Sequence, residues 1–291
     1  MNILVTGSCG QLGRAIREVS KEYDHKCFFT DMTGDECDFQ LDITDADSVG
    51  KAVEDNQVDV IINCAAYTDV EKAEDEEDAA VRVNADAPGI LARVAESKGA
   101  LLVHISTDYV FDGHSWLPYG EEDMPSPLSA YARTKYDGDK AIIGSGCRYL
   151  IFRTAWMYSD KGRNFFTRIV DLTAEKPTLA VVADQIGTPT YAPDLASAIF
   201  HIIDNRRDDI TGIYNYTDEG ICSWYDFAQA ICRGVGHTCR IVPCRTGEYP
   251  SKAARPHYSV LDKTRIKRDF GLDIPHWRDS LEVCISEYEK Q

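Results

Sequence analysis

No stretch of the 291-residue sequence approaches the roughly 18 consecutive apolar residues that cross a bilayer, and none of the seven histidines stands in an H-x-x-x-H or H-E-x-x-H spacing. A membrane span and a histidine-built zinc site are therefore not expected. The ten cysteines contain no C-x-x-C and are scattered from Cys9 to Cys284; Cys239 and Cys244, the tightest late pair, have no histidine at zinc-ligand spacing. They read as reduced, mostly buried thiols rather than as the disulfide frame of a small secreted domain. Residues 1–5 run straight into a strand-like stretch without a basic n-region or cleavage site, which points to a cytoplasmic protein.

Basic residues are also scarce: 31 Lys and Arg stand against 48 Asp and Glu, a net charge of -17. That balance excludes binding to a nucleic-acid polymer, which needs clustered cations against phosphates, and docking on an anionic membrane. A small anionic ligand feels only the local field and is not excluded. Residues 251–268 hold Lys252, Arg255, Lys263, Arg265, Lys267 and Arg268 against Asp262 alone, a local balance of +5. Arg255 is the candidate partner for a phosphate, because a guanidinium grips two oxygens at once. At the other extreme, residues 69–78 carry seven acids and one Lys, the pattern of a solvated helix face.

Apolar residues make up 44% of the chain, enough for one large or two modest cores. Short apolar runs at 1–5, 26–30, 58–63, 100–106 and 147–153 alternate with helix-patterned stretches at 13–22, 45–56, 79–97 and 129–143. Runs of Val and Ile without alternation are strands buried on both faces, and strands separated by helices form right-handed crossovers. The fold class is therefore α/β, a doubly wound parallel (Rossmann) sheet. Residues 1–155 form the expected dinucleotide-binding domain, with a return to it at about 186–217. The less regular 156–185 and 218–291 form a smaller substrate lobe over the sheet.

Gly7, Gly10 and Gly13 in TGSCGQLG (6–13) follow the first strand and open the first helix. Glycines there permit a tight turn, let backbone approach a pyrophosphate and let helix and strand pack closely, so that the helix N-terminus faces the anion. Asp31 ends the second strand, where a carboxylate can bind ribose hydroxyls. It repels a 2′-phosphate, and Met32 beside it supplies no cation, so the residues favour NADH over NADPH. Asp42 and Ile43 could flank the adenine, and the lesser alternative for Asp31 is an ordinary turn residue.

Tyr131 and Lys135 lie four apart in SAYARTK (129–135), on one face of a helix. A neighbouring ammonium stabilises a phenolate and brings a tyrosine's proton transfer into range. The spacing alone recurs in many helices. Its partner is Thr107 at the C-terminal end of a buried strand, where open α/β sheets place reactive groups. Hydroxyl, phenol and ammonium together suit carbonyl reduction: Thr107 orients the oxygen, Tyr131 gives a proton, and Lys135 tunes Tyr131 and holds the nicotinamide ribose. His104, just before Ser106, lies either in the core or at the crevice. Trp224, Tyr225 and Phe227 at a probable helix start read as lobe packing rather than base stacking.

The glycine pattern with Thr107, Tyr131 and Lys135 resembles the extended short-chain dehydrogenase/reductase superfamily. NCAAYTDVEKAE (63–74), STDYVFDG (106–113), RTAWMY (153–158), DQIGTPT (184–190) and RPHYSVLD (255–262) resemble, more narrowly, the dTDP-4-dehydrorhamnose reductase family. The resemblance implies NAD(P)H-dependent reduction of the 4-keto group of a dTDP-sugar for polysaccharide synthesis, by a monomer or homodimer. It implies that Gly10, Gln11 and Leu12 meet the pyrophosphate, Asp31, Asp42 and Ile43 the adenosine, and Ala65, Ala66 and Tyr67 the middle of the cofactor. Thr107, Asp108, Tyr109 and Trp156 would meet the sugar. Cys64 departs from the alanine common at its position. The acidic run after Lys72 is similar to one that joins a Mg²⁺ subunit contact in some members, though no metal geometry is fixed here. A dehydratase or epimerase of the superfamily is disfavoured by Tyr109, which stands where dehydratases carry an acid. A catalytically silent NADP-binding regulatory subunit is disfavoured by retention of all three catalytic residue types.

Overall fold

The computed structural model describes residues 1–34, 36–205 and 210–290. Residues 206–209, inside the expected return to the sheet, and residue 291, the end of the expected lobe, lie outside the described residues. The first half alternates β1 (Asn2–Thr6), α1 (Gln11–Val19), β2 (Lys26–Asp31), β3 (Phe39–Gln40), α2 (Ala46–Asp55) and β4 (Val60–Asn63). It continues through α3 (Val70–Ala73), α4 (Glu77–Val81), α5 (Ala87–Lys98), β5 (Leu101–Thr107), α6 (Ala130–Ile143) and β6 (Arg148–Thr154). The second half holds β7 (Met157–Tyr158), α7 (Phe165–Glu175), β8 (Thr178–Val182), β9 (Ile186–Gly187), β10 (Thr190–Tyr191), α8 (Ala192–Asp204) and β11 (Gly212–Asn215). It ends with β12 (Cys222–Ser223), α9 (Trp224–Gly234), β13 (Arg240–Cys244), α10 (Thr264–Phe270) and α11 (Trp277–Tyr288).

Seven of these strands make one sheet in the order β11-β6-β5-β4-β1-β2-β3, and every neighbouring pair is parallel. The order reverses between β1 and β4, which opens a crevice beyond their carboxyl ends. Both faces are covered, as the unbroken apolar runs require. Ile3, Val5, Ile62, Val103 and Phe152 pack under α1 and α8, while Leu4, Ile61, Leu102 and Ile151 pack under α2, α5 and α6.

Local signals set the element ends. Asp45 caps α2 by accepting from the Asp47 and Ser48 amides, Ser129 caps α6 from the Ala132 amide, and Gly99 closes α5 in the left-handed region at φ 69°. The helix expected over 79–97 is divided by a π-helical turn, Arg82–Asp86, that carries the buried Asn84. Gly138 lets α6 pass this turn: a Cβ there would stand 2.1 Å from the Asn84 carbonyl oxygen.

A second core gathers Tyr158, Phe166, Phe227, Ile231, Trp277 and Leu281 from β7, α7, α9 and α11, beside the β8–β13 pair. The end of the chain departs from the expected 218–291 lobe. Ile266 on α10 and Ile274 lie in the α1/α8 core of the sheet, because their apolar side chains fill its edge beside β11. No helix among the described residues is long and apolar enough to cross a membrane. All ten cysteines are free thiols; only Cys147, Cys222, Cys232 and Cys284 are buried and the other six are partly exposed, which corrects the expectation of mostly buried thiols.

Candidate active site

A cleft of about 1210 Å³ opens at the carboxyl ends of the strands, and every site residue expected from the sequence lines it. At one end lies the glycine turn. Gly7 has φ +65°, and a Cβ on it would stand 2.5 Å from the Ala65 amide nitrogen; one on Gly13 would stand 2.4 Å from the Gly7 carbonyl oxygen. The turn therefore brings bare backbone against the Ala65–Ala66 segment, a cradle that side chains would fill. Gly10, the N-cap of α1, provides no side-chain cap, so the first amides of this helix are left for an anion. Asp31 ends β2, its two oxygens accepting from the Cys9 amide at 2.9 Å and the Met32 amide at 2.8 Å. These bonds hold the carboxylate at the rim while leaving lone pairs for ribose hydroxyls. Asp42 is exposed and accepts from the amide and hydroxyl of Thr44, while Ile43 is buried. The residues thus fit a dinucleotide.

Asn84 ties this end of the cleft to the corner where Thr107, Tyr131 and Lys135 meet. Its side chain accepts from the Tyr67 amide at 2.9 Å and donates to the Tyr67 carbonyl at 3.0 Å and to Thr134 on α6 at 3.3 Å. Sequence reading missed Asn84, because the signal, a kink inside one helical pattern, is carried by tertiary packing.

Thr107, at the end of β5, is buried; its hydroxyl donates to Asp108 at 3.1 Å and accepts from the Tyr109 amide at 3.2 Å. Tyr131, the second residue of α6, meets Tyr109 edge-on with centroids 5.9 Å apart. Burial pushes the Tyr131 phenol up, against a hydrogen bond with Thr107. The net shift is upward, opposite to the lowering expected from Lys135, because desolvation is the largest contribution. The phenol is consequently held in its protonated, donor form. Lys135 is 2% exposed and donates to the Ile105 carbonyl at 2.6 Å. Burial lowers its ammonium to about 8, against the pull of Asp139 and Cys64. Asp108 is buried, and burial raises its carboxyl to about 7 against the lowering by Ser259 and Thr107.

Beneath this corner lies a group absent from the sequence reading. Asp139, one turn beyond Lys135, accepts from Ser106 at 2.8 Å and faces Arg153 at 3.7 Å, all three buried. His104, left undecided between core and crevice, is fully buried and stands 3.3 Å from Lys135 Nζ. In the lobe, Phe227 is core, whereas Trp224 lines the cleft and stacks on Trp156 at 3.6 Å between centroids, which divides the expected aromatic packing cluster between two tasks. Trp156 adopts φ 48°, and Gly187 makes room for it: a Cβ there would lie 2.7 Å from the indole.

Charge, too, is spent differently from its appearance in sequence. Lys252, Lys263, Arg265, Lys267 and Arg268 are taken up by Asp75, Glu219, Glu122 and Asp269. Arg255 alone of that basic segment lines the cleft, bonded to Glu71 at 2.9 Å and to the Tyr109 hydroxyl at 3.5 Å. The acidic run is no simple solvated face either. Glu71 also accepts from Ser251 and the Lys252 amide, Glu74 accepts from the Ala130 amide, Glu76 from the Tyr67 hydroxyl, and Glu77 pairs with Arg133. Although burial opposes it, those hydrogen bonds hold Glu71 at about 2. The run stitches the C-terminal segment and α6 to the mouth of the cleft.

Sheet order, glycine turn and the threonine–tyrosine–lysine corner together define a Rossmann-type protein of the extended short-chain dehydrogenase/reductase class. Within that class the chain belongs to the RmlD substrate binding domain family, whose model matches residues 1–290. A dTDP-4-dehydrorhamnose reductase of Burkholderia thailandensis is 36% identical over 305 residues, covering all of both chains. The crystal structure of a dTDP-4-dehydrorhamnose reductase from Clostridium acetobutylicum is 41% identical with a TM-score of 0.92, covering 99% of this chain and 100% of that one. A dTDP-4-dehydrorhamnose reductase from Bacillus anthracis, solved in complex with NADP, is 36% identical with a TM-score of 0.90 over 98% and 99%.

Proposed function

We infer that this chain is an NAD(P)H-dependent oxidoreductase that reduces the 4-keto group of dTDP-4-dehydro-6-deoxy-L-mannose to give dTDP-L-rhamnose for rhamnose-containing polysaccharide. The observation that carries the reading is the convergence of Thr107, Tyr131 and Lys135 at one end of a cleft whose other end is the glycine turn. The bound nicotinamide supplies a hydride to C4. Thr107 orients the keto oxygen, and the protonated Tyr131 donates to that oxygen as charge develops on it. The Lys135 ammonium holds the nicotinamide ribose, and the Trp156–Trp224 stack offers an apolar wall to the deoxysugar. Asp108 and Tyr109 face the sugar, and Arg255, exchanging Glu71 for phosphate oxygens, receives the diphosphate. Among the described residues no group of three or more His, Cys, Asp or Glu could hold a metal ion; the Mg²⁺ that the resemblance raised is given no part. The direct test is oxidation of NADH and NADPH by purified protein with the 4-keto dTDP-sugar. Tight cofactor binding with no turnover of either would favour the silent binding subunit and end the reductase reading.

With burial bringing it down to about 8, the Lys135 ammonium is complete well below that pH, half lost near it and progressively absent above. If the ammonium is needed, kcat/KM for the cofactor falls as pH rises through about 8, approaching a tenfold loss per further unit. Lys135→Arg, which stays charged, should lack that limb whatever its absolute rate. A wild-type profile flat from pH 7 to 9.5 would contradict the assignment.

Asp31 faces the adenosine ribose in this proposal, and its charge opposes a 2′-phosphate. NADH should be favoured over NADPH in kcat/KM, and Asp31→Ser should move the ratio toward NADPH by roughly tenfold, about 1.4 kcal/mol. A ratio that the substitution leaves unmoved would remove Asp31 from cofactor choice.

A further inference from the structure

A polar row crosses the sheet on the face that packs against α6. Thr30, Thr6, Asn63 and His104 are register partners on β2, β1, β4 and β5. All four are at most 1% exposed. Leu4, Ile61 and Leu102 flank the row two residues earlier on β1, β4 and β5. Polar groups in such a place persist only when they are hydrogen-bonded. Thr6 Oγ1 lies 2.7 Å from one end of the Asn63 amide, and His104 Nδ1 lies 3.0 Å from the other. The row ends at His104 Nε2, 3.3 Å from Lys135 Nζ, whose other contact is the Ile105 carbonyl at 2.6 Å.

We propose that His104 is a positioning residue for Lys135: its ring, anchored from behind by Asn63, accepts a hydrogen bond from the ammonium at Nε2 and so fixes where Nζ stands. This rests on the working ammonium assigned under the proposed function. An ammonium has three protons and no lone pair, so Nε2 must be bare and the ring proton must sit on Nδ1. That requirement propagates along the row. In the structure the Asn63 oxygen is turned toward Thr6 and its NH₂ toward Nδ1, an arrangement in which Nδ1 accepts from the amide and Nε2–H points its proton at the ammonium. A half-turn of the amide, which leaves its shape unchanged, presents the oxygen to Nδ1–H and the NH₂ to Thr6 Oγ1. Two of the three ammonium protons are then spent on Ile105 and His104, and the third is directed into the cleft. His104 stays neutral, because burial and the Lys135 charge both oppose its protonation. The other ionisable groups acting on Nζ are Asp139, from α6, and Cys64, after β4. Neither accepts a hydrogen bond from it in the structure, so the carbonyl and the imidazole define its position.

The tautomer is read without any activity, from the ring nitrogens of ¹⁵N-histidine-labelled wild-type protein near pH 7, with His104 assigned by its loss in His104→Gln. A protonated Nδ1 and bare Nε2 is expected; a protonated Nε2, or an imidazolium, overturns the proposal. In kinetics, His104→Leu should lower kcat/KM for the cofactor by about a hundredfold, the scale of a misplaced group. KM for the sugar should change little. The alkaline limb should move to lower pH, because the ammonium has lost an acceptor. His104→Gln keeps an accepting oxygen and should recover much of the rate and the limb. A folded Leu variant with an unmoved limb, or a Gln variant no better than Leu, overturns the proposal; should the Leu variant not fold, the wild-type tautomer decides. Failure of the wild-type enzyme to turn over would instead sink the proposed function, and the ring tautomer would still be measured.

Discussion

Tyr131→Phe should lower turnover by about 100- to 10,000-fold, the usual contribution of a positioned general acid, while cofactor affinity changes little. The ring keeps its edge-on packing against Tyr109, and α6 keeps its Ser129 cap, so the fold has no reason to respond. Lys135, the glycine turn and Asp31 are untouched, so the surfaces offered to the dinucleotide persist. Only the proton is removed. Because burial raises the wild-type phenol, that proton is in place at neutral pH, which suits the reducing direction in which an oxygen must be protonated. Fluorescence titration with NADH and single-turnover kinetics with the keto sugar separate the two effects. A variant that turns over within a few-fold of wild type would show that some other group is the acid. Asp108, a buried carboxyl near 7, would be the next to examine.

Arg153→Met should cost about 3–5 kcal/mol of stability, the penalty for stranding a buried charge. Asp139 is fully buried and Arg153 is 2% exposed, with Nε 3.7 Å from the carboxylate. The guanidinium also lies 5.2 Å over the Phe111 ring and donates to the Glu121 carbonyl at 3.3 Å. Methionine can fill much of the volume but leaves Asp139 with the Ser106 hydrogen bond and the charge of Lys135. Adding Asp139→Asn should return part of the loss, since the pair then carries no unmatched charge. Urea unfolding of the wild type, both single variants and the double variant gives the coupling directly. A loss below about 1 kcal/mol for Arg153→Met would mean that solvent reaches Asp139 in the variant.

Most of the sheet domain was legible in the sequence because its signals are local. An unbroken apolar run such as Ile61–Ile62 buries on both faces wherever it is placed, and Gly7 announces a backbone position that a side chain would obstruct. Tyr131 and Lys135 were legible for the same reason, since four residues on a helix bring two side chains to one face. His104 was not: alternation along β5 puts it on the face of Leu102 and Ser106, but nothing in that strand tells that Asn63 and Lys135 will close around it. Trp224 was read as packing because a helix start rich in aromatics is usually core, and only the turn of Trp156 into the left-handed region brings the second indole to the cleft.

Net charge marks the same division. By itself the sequence determined the doubly wound fold, and it presented the glycine turn, the threonine, tyrosine and lysine of the proposed site, and an excess of acids. It also displayed a basic segment at 251–268 and an acidic one at 69–78. Only the tertiary structure decided what they do: Lys252 and Arg255 meet Asp75 and Glu71, the remaining cations of the segment are paired elsewhere, and Arg255 alone of them reaches the cleft. The reason is range. Periodicity and backbone permissiveness act over a few residues, whereas the partner of a charge is whichever opposite charge the fold brings within a few ångströms, here some 180 positions away for Arg255 and Glu71.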